Sequence, residues 1–255
     1  MVKFITYNPA EHNNEPYVIN AVKHRLVEQR KNWICGLVGP PGTGKTYSAI
    51  SLAKTIDPTF DISRVCLDPL SFFQKIKERL PEGSGLILDE AGINASSKLW
   101  QSVNNRMLNF ILQAFRKRRI FVIFTMPGID NFDSSSRKLL NTIIEVQKVD
   151  FKSNLCEAKW LDYSYNPRYG GKAYNYFPRY IHPITGLTAI TKVYFRLADK
   201  KMLEQYEEMK EAFLERLEKD SVDAIYEALT QKKMRSRKVK SDFDKQTAEF
   251  GALEK

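Results

Sequence analysis

The sequence predicts an α/β protein: a mostly parallel sheet with helices on both faces, a β-rich extension and a C-terminal helical segment. Three observations predict it. Short apolar runs of strand length, Trp33 to Val38, Gly85 to Asp89 and Ile120 to Thr125, alternate with stretches of helical apolar spacing. Strands separated in this way return to the sheet through crossovers, which makes neighbours parallel and covers both faces. After Leu155 the texture changes to β-like stretches divided by Asn166-Pro167, Gly170-Gly171 and Pro183 to Gly186, which reads as an antiparallel excursion.

The elements follow in order. Residues 17–31 carry apolar residues at Val18, Ile19, Val22 and Leu26, the spacing of an amphipathic helix. Trp33 to Val38 is a strand, and the helical pattern after the glycine loop runs through Tyr47, Ile50, Leu52 and Ala53. Arg64 to Leu67 is a short strand, Pro69 to Leu80 a helix, and Gly85 to Asp89 a strand ending at a pair of acids. Lys98 to Arg118 is helical, and Ile120 to Thr125 is a buried strand stopped by Pro127. One or two helical turns over Ser134 to Leu140 precede a strand from Thr142 to Lys148. Met202, Tyr206, Met209, Phe213 and Leu217 form one stripe of a long helix over Asp199 to Met234, with a break expected near Asp220-Ser221. The division is therefore a lead and helix (1–32), a core (33–150), a β-rich extension (151–198), a helical segment (199–235) and a polar, disordered tail (236–255).

With 255 residues, 43% hydrophobic and 27% charged, the chain can bury a real core, which excludes wholesale disorder and a collagen-like repeat. The longest apolar run, Ile120 to Ile129, is too short for a membrane span and is interrupted by Pro127 and Gly128. The first residues lack an apolar signal core, and Cys35, Cys66 and Cys156 are too few to form a paired framework. The expectation is a reduced, cytoplasmic protein, in a host cell's cytoplasm if the source is viral. The net charge of +10 equals the charge of two blocks: Arg116, Lys117, Arg118 and Arg119, and then Lys232, Lys233, Arg235, Arg237, Lys238 and Lys240. Attraction to nucleic acid is expected to be local to these blocks.

The chemistry concentrates at Gly39-Pro40-Pro41-Gly42-Thr43-Gly44-Lys45-Thr46, which fits G-x-x-x-x-G-K-[ST]. Its glycines let backbone N–H groups turn inward around phosphate oxygens, and the helix that begins there adds its positive end. Gly39 to Tyr47 are the candidate ATP-binding residues. Lys45 would reach the β- and γ-phosphates, and Thr46 would ligate Mg2+ through its hydroxyl. An acid at a strand end suits a magnesium ligand, which assigns Asp89 to the metal and Glu90 to the general base that polarises water. Thr125 ends the next strand. If that strand lies between the loop strand and the Asp89 strand, its hydroxyl faces the γ-phosphate; otherwise it is a polar strand end. Arg137 is a candidate charge donated across a subunit boundary, with Arg116, Arg118 and Arg119 as rivals.

The stretch LILDEAGINASSKLWQSVNNRMLNFILQAFRKRRIFVIFTMP, with GPPGTGKT upstream, resembles the FtsK/HerA superfamily of P-loop ATPases, in particular small archaeal viral and plasmid packaging or Zot-like members. The resemblance covers Trp33 to Val149. It implies a RecA/ASCE-like P-loop NTPase sheet, MgATP hydrolysis, and a homo-oligomeric ring, usually a hexamer, that pumps duplex DNA without sequence specificity, together with a viral or plasmid protein partner. Lys45, Thr46, Asp89 and Glu90 carry over directly, Thr125 as the sensor-strand end, and Arg137 as the trans arginine. Met126 and Pro127 stand where many members place a glutamine, leaving Thr125 as the polar sensor. Besides a translocase, the residues accommodate a Zot-like nucleotide-dependent morphogenesis protein or an ATPase that loads or remodels a protein partner. Between Trp160 and Tyr180, aromatics alternate with Arg168, Lys172 and Arg179, a texture that suits either base stacking or packing of an antiparallel sheet.

Overall fold

The computed structural model describes residues 3–6, 17–89, 118–131, 137–166, 172–182 and 186–219. The chain forms two compact units, Met1–Tyr206 and Glu207–Lys255. Glu90, Arg116, Lys117, the tail cations from Lys232 onward, Arg168 and the expected break near Asp220 lie outside the described residues, as does the helix expected over Lys98 to Arg118 apart from Arg118 itself. In the second unit, residues 207–219 are helical.

Among the described residues, the first unit is built on a sheet of ten strands. Its parallel part consists of β2 (Trp33–Val38), β3 (Val65–Cys66), β4 (Gly85–Leu88), β5 (Phe121–Met126) and β6 (Thr142–Asp150), in the order β6-β2-β5-β4-β3. The strand β5 therefore lies between the loop strand β2 and the strand β4 that leads to Asp89. β7 (Leu155–Asn166) returns antiparallel against β6, and β10 (Gly186–Arg196) against β7, with β8 (Lys172–Tyr176) and β9 (Arg179–His182) as side strands. This is the antiparallel excursion of the sequence. A strand that the sequence did not suggest, β1 (Lys3–Thr6), pairs in parallel with β10.

Helices cover both faces, and strand alternation decides which residues meet them. On one face Leu86, Leu88, Val122, Phe124 and Met126 form a core with Phe72 and Ile76 of α3 (Pro69–Lys77). The residues between them, Ile87, Phe121 and Ile123, point to the other face, where α2 (Lys45–Ile56) packs on β4, β5 and β6. Continuing that alternation puts Asp89 and Thr125 on the α2 face. The two chemically interesting residues are thus delivered to one side of the sheet by the same period-two rule that buries their apolar neighbours.

Local chemistry sets the ends of the elements. The helix α3 starts at Asp68, whose carboxylate accepts the Ser71 N–H at 2.9 Å, with Pro69 at the first helical position. It stops at Lys77 rather than Leu80, because Glu78 is already extended ahead of Leu80-Pro81. The helix α1 (Tyr17–Val27) ends short of Lys31, since Arg30 adopts φ 52 and the Lys31 N–H reaches back to the Arg25 carbonyl at 3.0 Å. The strand β3 is shorter than expected because Arg64 belongs to a 3-10 turn whose Asp61 cap accepts from Ser63 N–H. Conversely, β6 extends to Asp150, its last residues held by β7 after β2 has ended.

Asp57 joins three parts of this scaffold. One carboxylate oxygen accepts the Thr59 N–H and hydroxyl at 2.9 and 2.7 Å. The other accepts Arg64 Nη1 at 2.7 Å and the Gly85 N–H at 3.2 Å, tying the end of α2 to the start of β4. At the start of β2, Trp33 stacks on Trp160 with centroids 5.6 Å apart and donates its indole N–H to Thr142 at 2.9 Å. Trp160 is therefore a core residue, whereas Tyr174 and Tyr176 of the same aromatic segment are exposed. The three cysteines are buried and unpaired. Burial pushes the thiol of Cys66 up to about 12, that of Cys156 up to about 11, and that of Cys35 well above its ordinary value.

Candidate active site

The strand β2 ends at Val38, and the following loop turns back into α2. Gly42 and Gly44 have φ of 79 and 80, a region that side chains with a Cβ rarely adopt. A Cβ on Gly44 would also lie 2.3 Å from Val149 Cγ2, and one on Gly39 would lie 3.2 Å from the Val146 carbonyl oxygen. The extra length of β6 beyond β2 is what brings Val146 and Val149 against the loop. The first turn of α2 contains no acid of its own, and Gly44 offers no side-chain cap, so the first N–H groups of the helix are not capped by a side chain at Gly44. Lys45 lies over the loop with Nζ donating to the Pro40 carbonyl at 2.9 Å, and the Thr43 hydroxyl donates to the same oxygen at 2.8 Å. Pro40, Pro41 and Gly42 are exposed. An anion-binding cradle open to solvent results.

Beside it lies a buried cluster around Asp89, which is 1% exposed. The Thr46 hydroxyl donates to Asp89 Oδ1 at 2.8 Å, and the Thr125 hydroxyl donates to the same oxygen at 2.5 Å. The Tyr206 hydroxyl donates to Oδ2 at 2.7 Å. These charge-assisted bonds compensate the carboxylate for its removal from water. Among the sequence candidates, the structure brings Thr46, Asp89 and Thr125 together and sets Lys45 at the adjoining loop. It also resolves the position of Thr125: β5 is the neighbour of both β2 and β4, so the hydroxyl faces the site. Tyr47 stands edge-on between Phe151 and Tyr206, with centroids at 5.9 and 6.3 Å.

Arg137 is not part of this cluster. It lies in the turn ahead of β6, where its carbonyl accepts the Leu140 N–H at 3.2 Å. Its Nε is buried and finds no hydrogen-bond partner among the described residues. Of its rivals, Arg118 donates to the Ile76 carbonyl and Arg119 pairs with Glu82 at 2.6 Å. Tyr206, which was not among the sequence candidates, joins the cluster. Its place in the apolar stripe was visible, but periodicity reports a buried face and not the partner of a hydroxyl.

Strand, glycine loop, helix and a buried strand-end aspartate on the loop's side define a P-loop ATPase, and the chain is an enzyme of that class that binds ATP. Residues 35–148 match the model of the family described as ATPase family associated with various cellular activities (AAA). No curated protein sequence matches the chain. Among solved structures, the N-terminal domain of zonular occludens toxin from Neisseria meningitidis is similar at 19% identity over 57% of this chain and 94% of that one, with a TM-score of 0.34. The FIGL-1 AAA domain is similar at 17% identity over 55% of this chain and 52% of that one, with a TM-score of 0.36. A KaiC-like protein from Pyrococcus horikoshii is similar at 13% identity over 62% and 89%, with a TM-score of 0.33. Among the described residues, no helix is long and apolar enough to cross a membrane.

The loop geometry gives a testable consequence. Gly44→Ala places a side chain at positive φ and against Val149, and is expected to destabilise the fold by ~2 kcal/mol or more. Adding Val149→Ala removes the closest atom but leaves the backbone strain, so stability should return only in part. Urea unfolding of the single and double variants measures both; an unchanged midpoint for Gly44→Ala would contradict the close approach of β6 to the loop.

Proposed function

We propose that this chain is a DNA translocase or genome-packaging motor of the FtsK/HerA kind, driven by MgATP hydrolysis and working as a homo-oligomeric ring. The observation that carries the hydrolytic part is the convergence of Thr46 and Thr125 on Asp89 beside the phosphate loop. A hydroxyl and a carboxylate are hard oxygen donors, the type magnesium prefers, so the residues present fit the ion. Thr46 and Asp89 would hold it, and when bound it supplies positive charge to the β- and γ-phosphate oxygens. Lys45 and the loop N–H groups bind the phosphates, and Thr125 fixes the carboxylate from the sheet side. Glu90, the next residue after Asp89, accepts the proton of the attacking water.

Arg137 is the charge that the resemblance puts on a neighbouring subunit's γ-phosphate, where it would stabilise the transition state. The DNA part rests on the resemblance of Trp33 to Val149 and on the two basic blocks that carry the net charge. Because Arg118 and Arg119 are engaged within the fold, the tail from Lys232 to Lys240 is the main source of sequence-independent phosphate attraction.

The test is ATP turnover with and without duplex DNA, combined with displacement of a third strand from that duplex as the readout of movement. Turnover should rise several-fold with DNA. Replacing the six tail cations with Gln should weaken DNA binding and flatten its salt dependence. Turnover indifferent to DNA, with no strand displaced, would reject the motor and favour an ATPase that acts on a protein partner or in morphogenesis.

A further inference from the structure

The aspartate that the proposed function assigns to magnesium is held from two sides, and only one side belongs to the nucleotide loop and its sheet. Oδ1 receives Thr46 and Thr125, while Oδ2 receives the Tyr206 hydroxyl at 2.7 Å. Tyr206 lies on α4, the helical stretch over 200–206 of the first unit, and is 1% exposed. A carboxylate is planar, so fixing Oδ2 also fixes the direction in which Oδ1 and its lone pairs point. The phenol is a good donor to an ionised acceptor, and in a buried setting such a bond is strong.

The approach to α4 is anchored to the phosphate-loop helix rather than draped over it. The Ala198 N–H donates to Ser51 Oγ at 2.8 Å, in a buried bond, and Ser51 Oγ donates to the Tyr47 carbonyl at 2.6 Å. Met202 and Leu203 are buried. The Tyr206 ring meets Tyr47 edge-on, at 6.3 Å and 87°. Tyr47 follows Thr46 directly. Residues 198–206 are thus tied to both sides of the site: to Asp89 by the Tyr206 hydroxyl, and to α2 by the Ala198–Ser51 hydrogen bond and the contact of the Tyr206 and Tyr47 rings.

We infer that Tyr206 is a positioning residue for Asp89, one that makes magnesium-dependent nucleotide binding depend on the docking of residues 198–206. The inference rests on the reading of Asp89 as the magnesium-side carboxylate. It deepens that reading by adding a control element from outside the loop and the central strands. Residues that orient a metal ligand without touching the metal set its affinity, commonly by about 10-fold or more. Because linkage is reciprocal, metal and nucleotide should in turn tighten residues 198–206.

Binding of a non-hydrolysable ATP analogue to the full chain, with magnesium and with EDTA, tests this by calorimetry. Tyr206→Phe keeps the ring and removes the hydroxyl. Its metal-free affinity should stay close to that of the unaltered protein, while the tightening produced by magnesium should shrink about 10-fold. A merely structural role would weaken both affinities alike, and that result would overturn the inference. Asp89→Asn separates the two layers. If it abolishes the magnesium effect while Tyr206→Phe leaves that effect whole, Tyr206 is not a positioning residue. If Asp89→Asn itself leaves the effect whole, the magnesium reading of Asp89 falls and the inference with it. Should Tyr206→Phe fail to fold, hydrogen exchange of the unaltered protein decides: slower exchange at 198–206 on adding magnesium to the nucleotide complex supports the inference, and unchanged exchange overturns it.

Discussion

Lys45→Ala should reduce ATP turnover by about 10²–10³-fold, the scale of losing one fixed charge contact to a phosphoryl group in the transition state. The loop itself does not require the ammonium for its shape. Gly42 and Gly44 set the backbone turn, Thr43 closes it on the Pro40 carbonyl, and the bond from Lys45 Nζ to that same oxygen is exposed. The ligand-free variant should therefore unfold within about 1 kcal/mol of the unaltered protein, in line with the modest net worth of an exposed hydrogen bond. The difference emerges with nucleotide. At a ligand concentration 100 times Kd, binding stabilises a protein by about 2.7 kcal/mol. The unaltered protein should show this rise in a thermal scan with MgATP and Lys45→Ala should not. Equal nucleotide stabilisation of both would remove Lys45 from phosphate binding.

The loop and the acid were legible in the sequence because each is local. Eight consecutive residues carry the cradle, and Asp89 closes a recognisable apolar strand. The order of the strands was not local. That Thr125 faces the site depends on β5 inserting between β2 and β4, a choice made by non-local pairing of apolar runs that look alike. Once that order exists, period-two alternation does the rest. Tyr206 was harder still, since it meets Asp89 across 117 positions, and a tyrosine in an apolar stripe reads as core whether or not its hydroxyl has work. Asp57 reads as a turn residue after a helix, yet it binds Arg64 and Gly85 and so joins α2 to β4. The strand β1 spans only Lys3–Thr6, too short to show a period, and exists as a strand through its pairing with β10. Trp160 looked like one member of an aromatic series; the pairing of β6 with β7 buries it against Trp33.

Glu90→Gln should leave ATP bound and stop its hydrolysis. Gln has the size of Glu and retains a carbonyl acceptor, but it cannot take a proton from water, and a positioned general base is commonly worth 10²–10⁴-fold. Asp89, which keeps its bonds to Thr46, Thr125 and Tyr206, is unchanged, so the phosphate cradle and the magnesium side of the site should be intact. The variant should therefore separate binding from chemistry, whereas Lys45→Ala impairs both. A single-turnover quench with limiting labelled ATP, run beside an equilibrium binding measurement on the same preparation, tests most directly the claim that Asp89 and Glu90 form a metal-holding acid followed by a catalytic base. Nucleotide affinity should stay within about 3-fold of that of the unaltered protein, and hydrolysis should slow by about 100-fold or more. Hydrolysis by Glu90→Gln at the unaltered rate would contradict that claim.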